Sequence, residues 1–134
     1  MEIYRSNFVT RSFLQQKQLL ISTWLPFTRD MEEIDFKDEM LQLTLHISHY
    51  KANYLLTVTN NMKFTISTEI QDWIVEIILP MLEESALKKQ AMVSPKDFFA
   101  KLSLEQTIDD VEKNQPKHAT RMFESFEEAM KWLE

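Results

Sequence analysis

The chain of 134 residues contains no glycine. At the usual frequency of about 7%, roughly nine glycines would be expected. Phosphate-binding loops, dinucleotide fingerprints and nucleophile elbows need glycine where the backbone turns sharply or approaches a ligand closely. The sequence therefore excludes these sites in their standard forms. The turns must use other residues, as at Asn60–Asn61, because Asn tolerates a positive φ better than most residues.

The apolar residues near the N-terminus alternate with a period of two. Residues 8–15 and 18–25 are two apolar-rich runs separated by Gln16–Lys17. In the second run, one face carries Leu19, Ile21, Thr23 and Leu25, and the other carries Leu20, Ser22 and Trp24. This spacing predicts an antiparallel hairpin.

From about Asp30 to Tyr50 the spacing becomes helical. The apolar stripe consists of Phe36, Met40, Leu43 and Ile47, and the opposite face carries Asp35, Asp38, Gln42 and His49. The next run, residues 54–59, is rich in β-forming residues and has no charges. It predicts a strand that is covered on both faces.

The most regular helical pattern begins at Thr68, which forms a capping box with Gln71. Its apolar positions are Ile70, Trp73, Ile74, Ile77, Ile78, Met81 and Leu82. Pro80 removes one backbone donor, so we expect the helix to bend there. A further strand is predicted over residues 89–93.

The C-terminal third predicts two more helices and one strand. Ser94 and Pro95 indicate a helix start, and residues 96–113 form either one bent helix or two, because Ser103 and Gln106 offer a second capping box. Residues 118–123 predict a last strand. Ser125 and Glu128 cap a final helix.

The order of these elements predicts the fold class. Strands that alternate with helices indicate an α/β protein with a mostly parallel sheet, to which the N-terminal hairpin adds antiparallel pairing. The chain has no long linker, repeat or low-complexity segment, so residues 1–134 are interpreted as one domain.

Three segments resemble the STAS family, the fold of anti-sigma-factor antagonists. They are "FTISTEIQDW" at residues 64–73, "SPKDFFAKLSLEQT" at 94–107 and "TRMFESFEEAMKWL" at 120–133. The chain is most similar to the small stand-alone bacterial STAS-like proteins, whose fold is also compared with CRAL-TRIO lipid-binding domains. The resemblance implies a STAS-like fold over the whole chain and a non-enzymatic regulatory or protein-interaction role.

The resemblance also suggests a phosphoacceptor site. In regulatory STAS members a serine at the start of the helix after the third strand is phosphorylated by a partner kinase, and the matching positions here are Ser67 and Thr68, with Thr65 nearby. Ile66 replaces the acidic residue that usually precedes this serine, and Glu69 replaces the glycine that usually follows it. The alternative interpretation is that these hydroxyls only cap the helix.

The aromatic residues also have two interpretations. Trp24, Trp73, Phe98 and Phe99, with the eight methionines, could line a pocket for an apolar ligand, because methionine adapts to varied apolar contacts. The same residues have the spacing of ordinary core positions. Phe98 and Phe99 are adjacent in a predicted helix and cannot both point the same way, so one of them is expected to be exposed or to cover a pocket or a dimer contact.

Several classes of site and partner are disfavoured. The net charge of −6, with scattered Lys and Arg, argues against nucleic acid as a partner. The absence of cysteine excludes thiolate chemistry and cysteine-based metal sites, and no apolar run is long enough to span a bilayer. We expect a cytoplasmic protein without a transmembrane segment or cofactor.

Metal binding and acid–base catalysis find little support. His46 and His49 have helical spacing but no evident third ligand, so they are interpreted as surface histidines. The acidic residues are assigned to polar helix faces, where solvent keeps them ionised; they are Asp30, Glu32, Glu33, Asp35, Asp38, Glu39, Asp109, Asp110 and Glu112. No catalytic motif is found.

Three functional hypotheses remain. The favoured one is a STAS-like interaction module, expected to form a homodimer and to expose an apolar patch beside residues 57–68. The alternative is a carrier of a small apolar ligand or lipid, with a cavity between the sheet and the helices that contain Trp73 and Phe98. The third is an enzyme, which would need a cleft with convergent polar groups.

Overall fold

The computed structural model describes all residues, Met1–Glu134. Its centre is a six-stranded sheet in which the strands follow one another in chain order. The strands are β1 (Glu2–Arg5), β2 (Val9–Leu14), β3 (Leu19–Trp24), β4 (Tyr54–Val58), β5 (Lys89–Val93) and β6 (Ala119–Phe123). β1, β2 and β3 pair antiparallel, whereas β3 to β6 pair parallel. The predicted α/β class with an N-terminal antiparallel hairpin is confirmed, and β1 is an additional edge strand.

The helices are α1 (Glu33–Tyr50), α2 (Thr68–Trp73), α3 (Leu79–Glu83), α4 (Phe98–Glu112) and α5 (Phe126–Leu133). A π-helical segment, Ile74–Ile78, joins α2 to α3, so residues 68–83 form one continuous helix. Pro80 explains this local change. It has no N–H to donate to the carbonyl four residues earlier, and just before it the N–H of Leu79 donates to Ile74 O, five residues back.

The helices cover both faces of the sheet. Consecutive parallel strands joined by right-handed crossovers place their connecting helices on one face, and α1, α2–α3 and α4 pack there against residues such as Trp24 and Leu55. α5 alone covers the other face, where Ala129 and Leu133 meet Leu56. The predicted division of β3 into two faces is confirmed, because Leu20 and Trp24 pack against α1–α4 and Leu19 packs against α5.

Two predicted helix starts are wrong in detail. Ser67, and not Thr68, is the N-cap of α2, because its hydroxyl accepts a hydrogen bond from Ile70 N–H at 3.2 Å. α4 begins at Phe98 with Asp97 as its cap, and not beside Ser94. Ser94 still pairs with the sheet, since its N–H donates to Phe123 O, and this pairing delays the helix.

α4 is a single helix with no break at Ser103. The side chain of Ser103 is buried, donates to Ala100 O at 3.0 Å and accepts from Ile66 N–H at 2.9 Å. Ser103 therefore connects α4 to the preceding loop and does not cap a second helix.

The residues with positive φ also differ from the prediction. They are Gln18, Lys51 and Gln115, each at the end of a helix or turn. Asn60 and Asn61 lie in a turn that the Met62 N–H closes by donating to Thr59 O at 2.9 Å. That turn needs no positive φ. The positive φ values that glycine usually adopts are found instead at Gln18, Lys51 and Gln115.

Candidate functional site

A cavity of about 90 Å³ lies between the sheet and the helices α1–α4, and 15 of its 21 lining residues are hydrophobic. Phe36 and Met40 of α1 form one wall, Leu104 and Ile108 of α4 form another, and Trp24 lies at the β3 side. The π-helical segment contributes Ile74 and Ile78. A π turn widens the helix locally, and such turns are common at functional sites.

The sheet side of this cavity carries a row of polar side chains, which we call the polar row: Thr57 of β4, Gln90 of β5, Thr120 of β6 and His118 just before β6. Gln90 and Thr120 are direct neighbours across β5 and β6. The amide of Gln90 donates to Thr57 Oγ1 at 3.2 Å. Since alternate strand residues face one side of a sheet, Leu55 and Met92 surround this row with apolar atoms.

His118 is the most unusual member of the polar row. It is only 2% exposed, and its Nδ1 is buried without a hydrogen-bond partner. The nearest acid is Glu83, whose Oε1 is 3.7 Å from Nδ1. Burial lowers the pKa of His118 below 6.5, although Glu83 and Glu112 favour the charged form. The ring is therefore a neutral hydrogen-bonding group at pH 7.

The four residues predicted for an apolar pocket do not come together. Trp24 lines the cavity, whereas Trp73 is partly buried at the edge of the same core, with the Lys37 amine 5.4 Å from its ring centroid. Phe98 and Phe99 are 70% and 65% exposed, and their rings pack edge to face with centroids 5.3 Å apart. The expected exposure of one member of this pair therefore holds for both, which are the first two residues of α4.

Two of the predicted phosphoacceptor residues lie on the loop that follows β4, and Thr68 is the first residue of α2. Thr65, Ser67 and Thr68 are all exposed. Gln71 does not complete a capping box with Thr68, because its amide donates to Ile66 O at 3.1 Å and to Gln106 Oε1 at 3.3 Å. Thr65 and Ser67 thus lie on a loop that hydrogen bonds of Gln71 and Ser103 connect to α4.

The exposed aromatic pair lies beside this loop. Lys96 N–H, two residues before Phe98, donates to Asn60 O at 3.2 Å. Leu102, one turn after Phe98, is also exposed. Phe98, Phe99 and Leu102 are thus three exposed apolar side chains on α4, and we call them the α4 patch.

A buried ion pair links the N-terminal strands to α1, and the sequence interpretation missed it. Arg11 is fully buried and Glu39 is 5% exposed, with Arg11 Nη2 3.7 Å from Glu39 Oε1 and 2.9 Å from its carbonyl oxygen. Arg11 also donates to Ser22 Oγ at 3.2 Å. Burial lowers the pKa of Arg11 to about 10, an effect that Glu39 opposes.

Neighbouring side chains also make polar contacts with this pair. Tyr4 and Ser6 donate their hydroxyls to Glu39, and His46 Nδ1 is 3.3 Å from Arg11 Nη1. Burial and the Arg11 charge lower the pKa of His46. The interpretation of Glu39 as a solvated acid and of His46 as a plain surface histidine is therefore wrong. Because the groups satisfy one another, this cluster is a structural connection and not an open site.

A sequence signal for this cluster exists. Arg11 lies between Val9 and Phe13 on one face of β2, because alternate strand residues share a face. Glu39 lies three positions after Phe36 and four before Leu43. A charged residue at an inward position in each of two elements indicates that the two charges pair.

Other site classes find no support in the geometry. Nowhere do three or more His, Asp or Glu side chains come together as a metal site requires. None of the helices combines the length and the apolar composition that crossing a bilayer requires. Comparisons with protein-family models, with characterised proteins and with solved structures gave no match.

Proposed function

We propose that this protein binds a small, largely apolar ligand in the cavity between the sheet and the helices. The observation that carries the proposal is an apolar cavity of about 90 Å³ with polar groups on one wall. Native cores contain few voids larger than a water molecule, and about 10–15 Å³ is enough to hold one water.

The energetic cost of such a cavity supports a functional role. At roughly 24 cal/mol per Å³, an enclosed void of this volume costs about 2 kcal/mol of stability, which is an upper limit here because the pocket is partly open. Larger side chains at the same positions would remove that cost. A chain that keeps the cavity gains nothing in stability from it, which favours a role in binding.

Binding without chemistry is the simplest use of these groups. His118 is the one titratable side chain that lines the cavity, so the wall offers no second group to act as its acid or base partner. The other polar groups on the sheet wall, Thr57, Gln90 and Thr120, are neutral hydrogen-bonding side chains. They can orient a ligand by hydrogen bonds.

A cavity-filling variant tests the proposal. Thr107 lines the cavity from α4, and Glu105 is exposed on the same helix, so Thr107→Phe fills the cavity and Glu105→Phe adds the same ring outside it. Benzyl alcohol should raise the melting temperature of the wild type and of Glu105→Phe, but not of Thr107→Phe. A ligand at about 100 times its Kd adds about 2.7 kcal/mol. Equal shifts in all three proteins, or no shift in the wild type, would contradict the proposal.

Native mass spectrometry provides an independent readout. A ligand retained during purification would give a mass excess that survives gentle ionisation and disappears on denaturation. We expect this excess in the wild type and in Glu105→Phe, and its absence in Thr107→Phe. A mass excess that persists in Thr107→Phe would place the ligand outside the cavity.

The STAS-like interaction module is the second candidate, and the α4 patch is the observation that favours it. Two exposed phenylalanines and Leu102 adjoin the loop that carries Ser67. We propose a second copy of the chain as the occupant, because Lys96, Asp97 and Glu105 place both signs of charge around the patch. Mixed charge around an apolar centre can be self-complementary across a two-fold axis.

Sedimentation velocity tests this candidate. The wild type should sediment as a dimer at micromolar concentration, and the double variant Phe98→Ser, Phe99→Ser as a monomer. Leu45→Ser, at an exposed apolar position on α1, serves as the matched control and should remain a dimer. A monomeric wild type would rule out self-association through this patch.

A further inference from the structure

We infer that the ligand of this cavity is an uncharged molecule of about one ring in size that carries a hydroxyl group, which hydrogen-bonds to the polar row. The inference rests on the proposed function and specifies its ligand class. It follows from three properties of the cavity: the charges at its wall, the hydrogen bonds that the polar row leaves unmade, and the volume.

The wall of the cavity carries no permanent charge. Among its lining residues there is no Lys, Arg, Asp or Glu, and His118 is the one residue that titrates near neutral pH. The charged groups around His118 are Glu83 at the end of α3, Glu112 at the end of α4 and the adjacent Lys117. Two of these three are acidic.

An anionic group is therefore disfavoured in the cavity. A carboxylate that leaves water loses several kcal/mol of solvation unless a cation or several donors replace it. Here it would meet no cation, and the nearest charge behind His118 is the carboxylate of Glu83. Fatty-acid anions and phosphate esters do not fit this electrostatic environment.

A cationic group is disfavoured as well. The carboxylate of Glu83 is more than one-third exposed, and both of its oxygens accept from Lys117 N–H, at 3.1 and 3.3 Å. It lies behind the His118 ring and does not line the cavity. An amine in the cavity would thus lose its solvation without gaining a direct counter-charge.

The hydrogen bonds that remain unmade define the polar group of the ligand. Within the polar row the side chains make a single hydrogen bond, from Gln90 Nε2 to Thr57 Oγ1. His118 Nδ1 also lacks a partner, but it faces Glu83, whose Oε1 is 3.7 Å away, and not the cavity. Gln90 Oε1 and the Thr120 hydroxyl make no side-chain hydrogen bond, and Thr57 can still donate. Because the row offers both donors and acceptors, a hydroxyl, which also does both, fits it best.

The volume limits the size of the ligand. An apolar cavity of about 150 Å³ admits benzene, and the cavity here measures about 90 Å³. Small adjustments of the methionine side chains Met40, Met62 and Met92 at its wall can accommodate one ring. A long acyl chain exceeds this volume.

Three probes of nearly equal shape separate these properties: benzyl alcohol, toluene and benzoate. Calorimetric or ligand-observed NMR titration at pH 7 should give benzyl alcohol an affinity about tenfold higher than that of toluene, which is about 1.4 kcal/mol. Benzoate should bind at least tenfold more weakly than benzyl alcohol. Equal affinities for toluene and benzyl alcohol, or tighter binding of benzoate, would overturn the inference and leave the proposed function in place. Absence of binding by all three would overturn the proposed function itself.

Conservative variants test whether the polar row causes the preference for benzyl alcohol over toluene. Thr120→Val and Gln90→Leu should bind toluene normally but lose the preference for benzyl alcohol. Thr107→Val is the matched control, because Thr107 also lines the cavity but its hydroxyl already donates to Ser103 O at 2.8 Å. This variant should keep the preference. If Gln90→Leu fails to fold, Thr120→Val alone decides, and an unchanged preference in it would contradict the role of the row.

Discussion

The ion pair of Arg11 and Glu39 is a residue-scale feature with consequences for stability. The two side chains are almost completely buried, and Tyr4, Ser6, Ser22 and His46 occupy the polar atoms around them. Removal of solvation from both charges is expensive, so the pair need not be stabilising relative to apolar residues of similar size. Loss of one partner, however, leaves the other charge buried without compensation.

We therefore expect Glu39→Gln to destabilise the protein by about 3 kcal/mol or more, measured by urea unfolding. Glu33→Gln provides the matched control on the same helix, because Glu33 pairs with Lys37 at 3.6 Å in a partly exposed position. It should cost about 0.5 kcal/mol or less. Equal costs for the two variants would show that Arg11 does not depend on the Glu39 charge.

The hydroxyl residues at the start of α2 lead to a second prediction. Ser67 accepts from Ile70 N–H, whereas Thr68 lies within the first helical turn. Replacement of both by Ala should cost about 1–2 kcal/mol, nearly all of it from Ser67, because only Ser67 is the cap. If the site is a phosphoacceptor, the double variant isolated from its native cells should carry no phosphate by mass spectrometry. Phosphate that persists on the double variant would exclude the assignment to Ser67 or Thr68.

His118 predicts a pH dependence of stability. Its folded-state pKa is lowered by burial from 6.5, so below that pH the unfolded chain binds protons that the folded protein does not. Stability is therefore retained above about pH 6.5 and is lost as the pH falls toward the folded-state pKa. His46 acts in the same direction. Urea unfolding at about pH 7.5 and 5.5 should show a smaller loss for His118→Gln than for the wild type, and an equal loss would contradict the assignment.

At the scale of elements, the helix of residues 68–83 shows how one residue, Pro80, changes the backbone hydrogen bonding of a longer helix. Its apolar positions follow ordinary helical spacing, yet a π segment precedes Pro80. The wider turn accommodates proline, which has no N–H to donate to the helix. It also places Ile74, Ile78 and Leu79 together at the cavity. The helix therefore continues past Pro80, with the π segment just before it.

α5 is the second element with a distinct task, because it alone covers one face of the sheet. Leu133 is buried against Leu56 and Val93, and Lys131 is exposed on the same helix. Leu133→Ala should cost about 2–5 kcal/mol through the cavity that it leaves. Lys131→Ala should change stability by about 0.5 kcal/mol or less. Similar unfolding midpoints for the two variants would show that α5 is not required to cover the sheet.

At the scale of the whole molecule, both helical layers share the same strands. In β4, Leu55 faces α1 and the next residue, Leu56, faces α5. Because every strand from β3 to β5 contributes to both layers, neither layer can unfold and leave the other intact. The chain should therefore unfold as one cooperative domain.

Tryptophan fluorescence can test this cooperativity. Trp24 lies in the layer of α1–α4, and Trp132 packs in the layer of α5. A variant that keeps only Trp24 (Trp73→Phe, Trp132→Phe) and one that keeps only Trp132 (Trp24→Phe, Trp73→Phe) should each unfold in urea at the same midpoint by fluorescence and by far-UV circular dichroism. Non-coincident midpoints in either variant would indicate separate folding units.

The sequence by itself determined most of the elements and the fold class, but not the edge strand β1 or the π segment. A period of two at residues 18–25 and a helical period at residues 36–47 are local properties, and right-handed crossovers leave few ways to assemble them. Only the tertiary structure decided which polar residues are buried and what surrounds them. Thr57, Gln90 and Thr120 come from three strands separated by about 30 residues each, and they become one row only through the register of the sheet. Glu39 and His118 are likewise buried by residues that are distant in the chain. Local spacing could not predict this, because it specifies the face on which a residue lies but not the partner that covers that face.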